Sequence, residues 1–415
     1  MIVLSHHFGR ASAAGPIRRR LQLRLRTLLL AITLLAIWLG ITVERARTQR
    51  EAVTTIMELG GSVRYKHEQD EHGSWDAEAV PPGPAWLRRW IGDEYFETPF
   101  EVYTQSSSDS DACVAAVARL TGLEGLHVDS MAMDEGDSDG YYQGWSDKPC
   151  RVHGKPLSDR GMESIGRLTR LTRLTISGAT ITDEALRHLA RLTRLKDLRI
   201  VRCPITGNEL SYLARPDRLD QLDLRQTRLN DSGLENLRGM SRLRVLGLDR
   251  THISDKGLSH LSGLTSLEYL GLGENNISDA GLPYIARLTH LKSLGLRDTR
   301  ITDHGLDNLR QMAALEGLDI NITSVGDDGL NRLLGLRSLK SVQLVSTCVT
   351  DVGFERLQSL PELTYIAVAD ENTTDDQMVF LQRFVRFGPP MSRTPITEVA
   401  IQRLQEAMPK LKVRH

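Results

Sequence analysis

Aromatic residues make up only 5% of the chain, and its four cysteines, Cys113, Cys150, Cys203 and Cys348, are widely scattered. So few cysteines exclude a disulfide framework. So few aromatics are low for a globular enzyme core and ordinary for a stack of small identical layers. Neither sign of charge prevails: 52 Lys and Arg oppose 53 Asp and Glu. A net charge of −1 gives no basic footprint for nucleic acid. The sequence also lacks a Ser-His-Asp arrangement, a P-loop, a dinucleotide-binding glycine loop and an HExxH helix. "HEQDEH" (67–72) comes nearest to the last, but His67 and His72 are five apart rather than four. A helix would put them off one face, so a solvated loop is expected and no metal or other cofactor is called for.

One long apolar run is present. Residues 27–43, "TLLLAITLLAIWLGITV", carry no charge. As a helix they span roughly 25 Å, close to the hydrocarbon core of a bilayer. Arg10, Arg18, Arg19, Arg20, Arg24 and Arg26 precede the run without an acid among them, whereas acids and bases nearly cancel after it. The positive-inside rule then predicts a cytoplasmic N-terminus and an extracytoplasmic, periplasmic remainder. A cleaved signal peptide is the rival reading, but "GITVERART" puts Glu and Arg where a cleavage site needs small residues.

The rest of the chain repeats itself every 24 residues. Counted from Leu168, the fourth position of nine successive copies is always Leu, from Leu171 to Leu363. The seventh is Leu174, Leu198, Leu222, Leu246, Leu270, Leu294, Leu318, Val342 and Ile366. Leu-x-Leu alternation sends two side chains to one face of a short strand. Three residues on stands a small polar residue (Thr227, Thr251, Asn275, Thr299, Thr323, Thr347), expected to bond the backbone of neighbouring turns. A helix is predicted next, with Thr302 and its equivalents Thr182, Ser254, Ser278 and Thr350 as N-caps. Asp303 and its equivalents Asp183, Asp255, Asp279 and Asp351 are expected to neutralise that helix's first turn. One such unit cannot bury its apolar face alone, so the units must stack.

The pattern L-x-x-L-x-L-x-x-(T/N)-x-(I/L), as in "LKSLGLRDTRI" (291–301), resembles the leucine-rich repeat. With its trailing "(T/S)-D-x-G-L", it is similar to bacterial surface arrays and to the arrays of F-box proteins. The resemblance implies an α/β leucine-rich-repeat solenoid, a horseshoe with a concave parallel β-sheet and convex helices, preceded here by one transmembrane helix. The whole chain resembles bacterial membrane-anchored leucine-rich-repeat proteins. The expected organisation is a basic cytoplasmic tail (1–26), a signal anchor (27–43) and irregular N-terminal capping rungs (44–130). An insertion loop (131–157), regular repeats (158–382) and a C-terminal cap (383–415) follow. Within the insertion, Glu135, Asp137, Asp139 and Gly140 are spaced like the start of a calcium loop, but Ser146 stands where its closing Glu should be. Cys113 and Cys150 either bridge the insertion to the cap or stay reduced. Cys203 sits in the Thr row, where a buried, inert thiol is expected.

Period-two alternation also names the outward strand residues. The central row runs Thr175, Arg199, Asp223, Gly247, Gly271, Gly295, Asp319, Gln343, Ala367. The three glycines suggest a patch of bare backbone that a partner can approach. Around it lie Arg202, Arg225, Asp249, Arg250, Tyr269, Glu274, Arg297 and Asp298, and the expected binding face comprises these with Arg199, Asp223 and the three glycines. The function expected is non-catalytic recognition of a protein or peptide, without nucleic acid, from a membrane anchored through 27–43. A cytosolic adaptor or substrate-receptor array and an envelope scaffold are the alternatives. Reversing Arg225 and Arg250 to Glu is expected to abolish capture without unfolding.

Overall fold

The computed structural model describes residues 16–69, 75–76, 79–91, 97–104, 109–120, 122–130, 154–213, 219–367 and 386–387, with 399, 402 and 406. His72, the acidic loop 135–140, Cys150 and most of the expected C-terminal cap lie outside the described residues.

The apolar run and the residues that follow it form one continuous helix, α1 (Pro16–Glu58). Its interior contains no proline to interrupt the hydrogen-bond ladder. The hydroxyls of Thr33 and Thr42 donate to the carbonyls of Leu29 and Trp38, at 2.8 and 2.7 Å. Gly60, at φ 80°, ends the helix in the left-handed conformation, and Gly61 N–H donates to Ile56 O at 2.8 Å. Leu28 to Val43 show large exposed apolar side chains, whereas Ala46, Ala52 and Ile56 are buried. Those last turns pack against α3 (Ser110–Val117), α2 being Ala85–Ile91. By length and composition Thr27–Glu58 is able to cross a membrane, a property membrane anchors share with signal sequences.

Thirteen strands among the described residues make one sheet in chain order. They are β1 (Ser62–Tyr65), β2 (Pro99–Thr104), β3 (Gly125–Asp129), β4 (Arg173–Ser177) and β5 (Asp197–Val201). Next come β6 (Gln221–Asp223), β7 (Val245–Gly247), β8 (Tyr269–Gly271), β9 (Ser293–Gly295) and β10 (Gly317–Asp319). The last are β11 (Ser341–Gln343), β12 (Tyr365–Ala367) and β13 (Arg386–Phe387). Neighbours pair in parallel except β1 and β2, which are antiparallel. β3 pairs directly with β4, Leu126 opposite Leu174, 48 positions apart in the chain, twice the period of the repeat. Short α- and 3-10 turns cover the opposite side, such as Asp255–Leu258 and Gly305–Gln311. The inward Leu rows and the helical-turn leucines, Leu306 and Leu309 among them, join in one apolar cluster running from Ala52 to Ile366.

Two expectations about polar residues are corrected. The Thr row does not reach neighbouring turns. Thr227, Thr251, Thr299, Thr323 and Thr347 donate to the carbonyl three residues back, at 2.6–2.8 Å, closing a turn within their own rung. Each of these turns needs a left-handed residue, found 24 apart at Arg202, Gln226, Arg250, Glu274, Asp298, Ile322 and Ser346. Only Asn275, with a longer amide, spans two rungs, accepting from Thr251 N–H at 3.1 Å and donating to Leu248 O at 2.8 Å.

The aspartates correct the second. Instead of serving only their own helical turn, they bond the next rung. Asp255 accepts from Ser278 N and Oγ at 2.8 and 2.6 Å, and Asp279 accepts from Thr302 N and Oγ1 at the same distances. Asp159, Asp183, Asp231 and Asp327 do likewise with Thr182, Thr206, Ser254 and Thr350. The glycine of "D-x-G-L" then has a steric reason. A Cβ at Gly257, Gly281, Gly305, Gly329 or Gly353 would come under 3.0 Å from the carboxylate of the preceding rung.

Candidate binding site on the concave face

Register sets the concave side chains in rows. Tyr269, Ser293, Gly317 and Ser341 lie side by side in one, and Gly247, Gly271, Gly295, Asp319 and Gln343 in the next. Two residues further along each rung, on the same face, come Asp249, Gly273 and Arg297. Where glycine and serine replace larger residues on three adjacent strands the surface sinks. The result is a pocket of about 250 Å³ over Gly295, lined by Arg225, Asp249, Tyr269, Glu274, Arg297 and Asp319 among others.

The three glycines are adjacent as expected, but they are not equally bare. Asp223 and Arg225 lean over Gly247, and Asp249 leans over Gly271, leaving both buried; of the three, Gly295 alone has room for a Cβ, whose nearest neighbour would be Gly271 Cα at 3.6 Å. The arginines are mostly committed to acids. Arg225 Nε and Nη2 grip Asp223 at 2.8 and 2.6 Å, and Arg250 pairs with Glu274 across one rung. Reversing both would leave Asp223 and Glu274, each part-buried, facing like charges, so the expectation of an intact fold is withdrawn. Arg199 pairs with Asp197 at 3.3 Å, and Arg202 Nε donates to Gln226 Oε1 at 2.6 Å. Arg202, Arg250, Glu274 and Asp298 occupy the left-handed turn positions at the ends of their strands. Of the expected face, Arg225, Asp249, Tyr269, Glu274, Gly295 and Arg297 meet around the pocket, while Arg199, Arg202, Arg250 and Asp298 do not line it.

Ser293, Gly317, Asp319, Ser341 and Gln343 also line it, with Gly273, Leu294 and Leu318, all outside the expected set. The position just before each inward leucine carries the signal, since alternation sends it to the same face as the central row.

Electrostatically the pocket is unsettled. Asp249 accepts Gly273 N–H at 2.9 Å, and burial pushes its carboxyl up to about 6 against the pull of that bond and of Arg225. Burial raises Asp319 as well, although Asn321 N–H donates to it at 3.0 Å and Arg297 opposes the rise. Arg297 Nε is buried without an acceptor among the described residues. Groups of three or more His, Cys, Asp or Glu placed to hold a metal do not occur among the described residues.

A second cluster closes the N-terminal end of the same face. Glu101, buried, accepts from Tyr103 Oη at 2.8 Å and contacts His127 Nε2 at 2.9 Å and Arg173 at 3.3 Å. Burial alone would raise its carboxyl, but the hydrogen bonds from His127 and Tyr103 and the charge of Arg173 leave it below the usual range. Tyr103 stacks on His127 at 4.4 Å, and the Arg64 guanidinium lies 4.7 Å from the same tyrosine ring. Cys113 and Cys203 are buried, and burial pushes the Cys113 thiol up to about 11 and the Cys203 thiol up to about 12, away from the reactive thiolate.

Comparison with known proteins agrees with this geometry at the level of the repeat. A family model described as leucine-rich repeat matches residues 263–286, the rung that carries Tyr269 and Gly271. No curated protein matches the sequence significantly. Among solved structures, the chain is similar to an internalin from Listeria monocytogenes, with a TM-score of 0.45 and 19% identity over 76% of this chain and 86% of that one. It is also similar to internalin C2 of the same organism, with a TM-score of 0.38 and 28% identity over 46% of this chain and 76% of that one. The fold is an α/β leucine-rich-repeat array with an open parallel sheet.

Proposed function

We propose that this protein is a non-catalytic recognition module that holds a protein or peptide partner on its concave sheet and is displayed from a membrane by the apolar part of α1. The observation that carries the reading is the recess over Gly295, polar and open, on the concave sheet face. An extended surface of this kind suits capture of a polypeptide, because a stack of rungs offers many weak contacts in register. Display from a membrane is supported by the exposed apolar side chains between Leu28 and Val43 and by threonine hydroxyls bonded within the helix. Because α1 continues into the buried turns at Ala52 and Ile56, an anchor there would hold the array without a flexible linker.

Proximity labelling from the full-length chain, compared with a Ser293→Arg/Ser341→Arg variant that fills the recess, tests the binding face. Loss of specific neighbours with an unchanged circular-dichroism spectrum supports it; the same neighbours in both overturn it. A topology reporter fused after His415, with carbonate extraction, tests the membrane orientation.

A further inference from the structure

The pocket over Gly295 specifies more than a binding face. We propose that it is a subsite for one basic side chain, a Lys ammonium or an Arg guanidinium, presented by the partner polypeptide; this subsite presupposes the polypeptide-recognition function proposed for the concave sheet.

Size comes first. At about 250 Å³ the pocket falls just below the roughly 300–1,000 Å³ of small-molecule sites, and suits a single long side chain. Gly273, Gly295 and Gly317 line it without side chains, so an entering stem meets backbone there. Charge comes second. Asp249 and Asp319 flank Gly295: a Cβ there would lie 3.9 Å from Asp249 Oδ1, and Asp319 is its register partner on β10. A carboxylate has about four acceptor positions. Each of these two is seen to use one, for Gly273 N–H or Asn321 N–H, and neither is ion-paired among the described residues. The nearby cations are engaged elsewhere, Arg225 with Asp223 and Arg250 with Glu274. Four acids (Asp223, Asp249, Glu274, Asp319) against three arginines (Arg225, Arg250, Arg297) leave one formal negative charge. A basic guest supplies the missing counter-charge, a neutral one does not, and an anion meets two carboxylates with only Arg297 to receive it.

Asp249 also links uptake to pH. The charged or titratable groups around it are Arg225, Asp223, Tyr269, Glu274 and Arg297. A guest cation binds the ionised carboxylate, so uptake below pH 6 releases a proton, and affinity falls as pH drops through that value.

The test titrates the full chain in detergent micelles with acetyl-Gly-Arg-Gly-amide, and with the Gln and Glu analogues, at pH 7.5 and 5.0 by calorimetry. The Arg peptide is expected to saturate and the others not, with affinity about tenfold weaker at pH 5.0. Asp249→Asn weakens uptake about tenfold and flattens the pH response, whereas Arg297→Gln, which removes the competing cation, tightens it. Equal uptake of Arg and Gln peptides, preference for the Glu peptide, no uptake at all, an unaffected Asp249→Asn or a weakened Arg297→Gln each overturns the subsite. Specific neighbours in proximity labelling without basic-peptide uptake overturn the subsite alone and leave the recognition function standing.

Discussion

Asp249 sits where burial opposes its charge, with one backbone N–H as its hydrogen-bond donor and Arg225 shared with Asp223. Its folded pKa of about 6 lies above the ordinary carboxylate value of ~3.9. Between those values the native chain keeps a proton that the unfolded chain has released, so this residue's contribution to stability is lost as pH rises through the window. Asp249→Asn is therefore expected to stabilise the array at pH 7.5 by on the order of 1–2 kcal/mol, discounted for partial exposure. The gain should vanish towards pH 4. Denaturant unfolding at both pH values checks it, and equal gains at both would reject the assignment. Ile322, a β-branched residue at φ 55° in a turn position, is another local strain.

Between elements, the rungs are joined by more than apolar contact. Asp231 accepts from Ser254 N and Oγ at 2.8 and 2.6 Å, and Gly257 leaves room for that carboxylate. Asp231→Ala should cost about 1–2 kcal/mol through two lost hydrogen bonds. Gly257→Ala should cost about 1–3 kcal/mol because the new methyl displaces the carboxylate. In an Asp231→Ala background the second change should become nearly neutral, since alanine is the better helix former once the clash is gone. A double-mutant cycle reads the coupling, and additive effects would show that the glycine serves something else. The sequence shows the Asp and the Gly two residues apart in most copies, though not at Asp183, which Ala185 follows. It does not show that the steric partner lies one copy away, because a short carboxylate can reach either its own helical turn or the next rung.

Across the whole molecule, a 24-residue unit is the structural quantum. Deleting residues 264–287 brings Asp255 opposite Thr302 in place of Ser278 and keeps every inward leucine inward. That chain should fold and unfold cooperatively, near the parent's transition temperature, although it loses Tyr269, Gly273 and Glu274 from the pocket. Deleting one residue fewer shifts the following strand by one position and turns its apolar set outward at the junction. Thermal unfolding of the two should differ sharply, and similar curves would contradict a strictly periodic core.

The sequence alone determined the repeat, the inward and outward faces, the adjacency of Gly247, Gly271 and Gly295, and the apolar length of α1. It could do so because in a stacked array each residue's neighbours lie a fixed number of positions away, so local pattern encodes long-range contact. Tertiary structure alone decided which acid each arginine grips, that Asp249 roofs Gly271, that the Thr hydroxyls turn inward on their own rung, and that β1 runs antiparallel. Those outcomes depend on side-chain reach and on the path of the chain in three dimensions, which a period of two or of twenty-four does not specify.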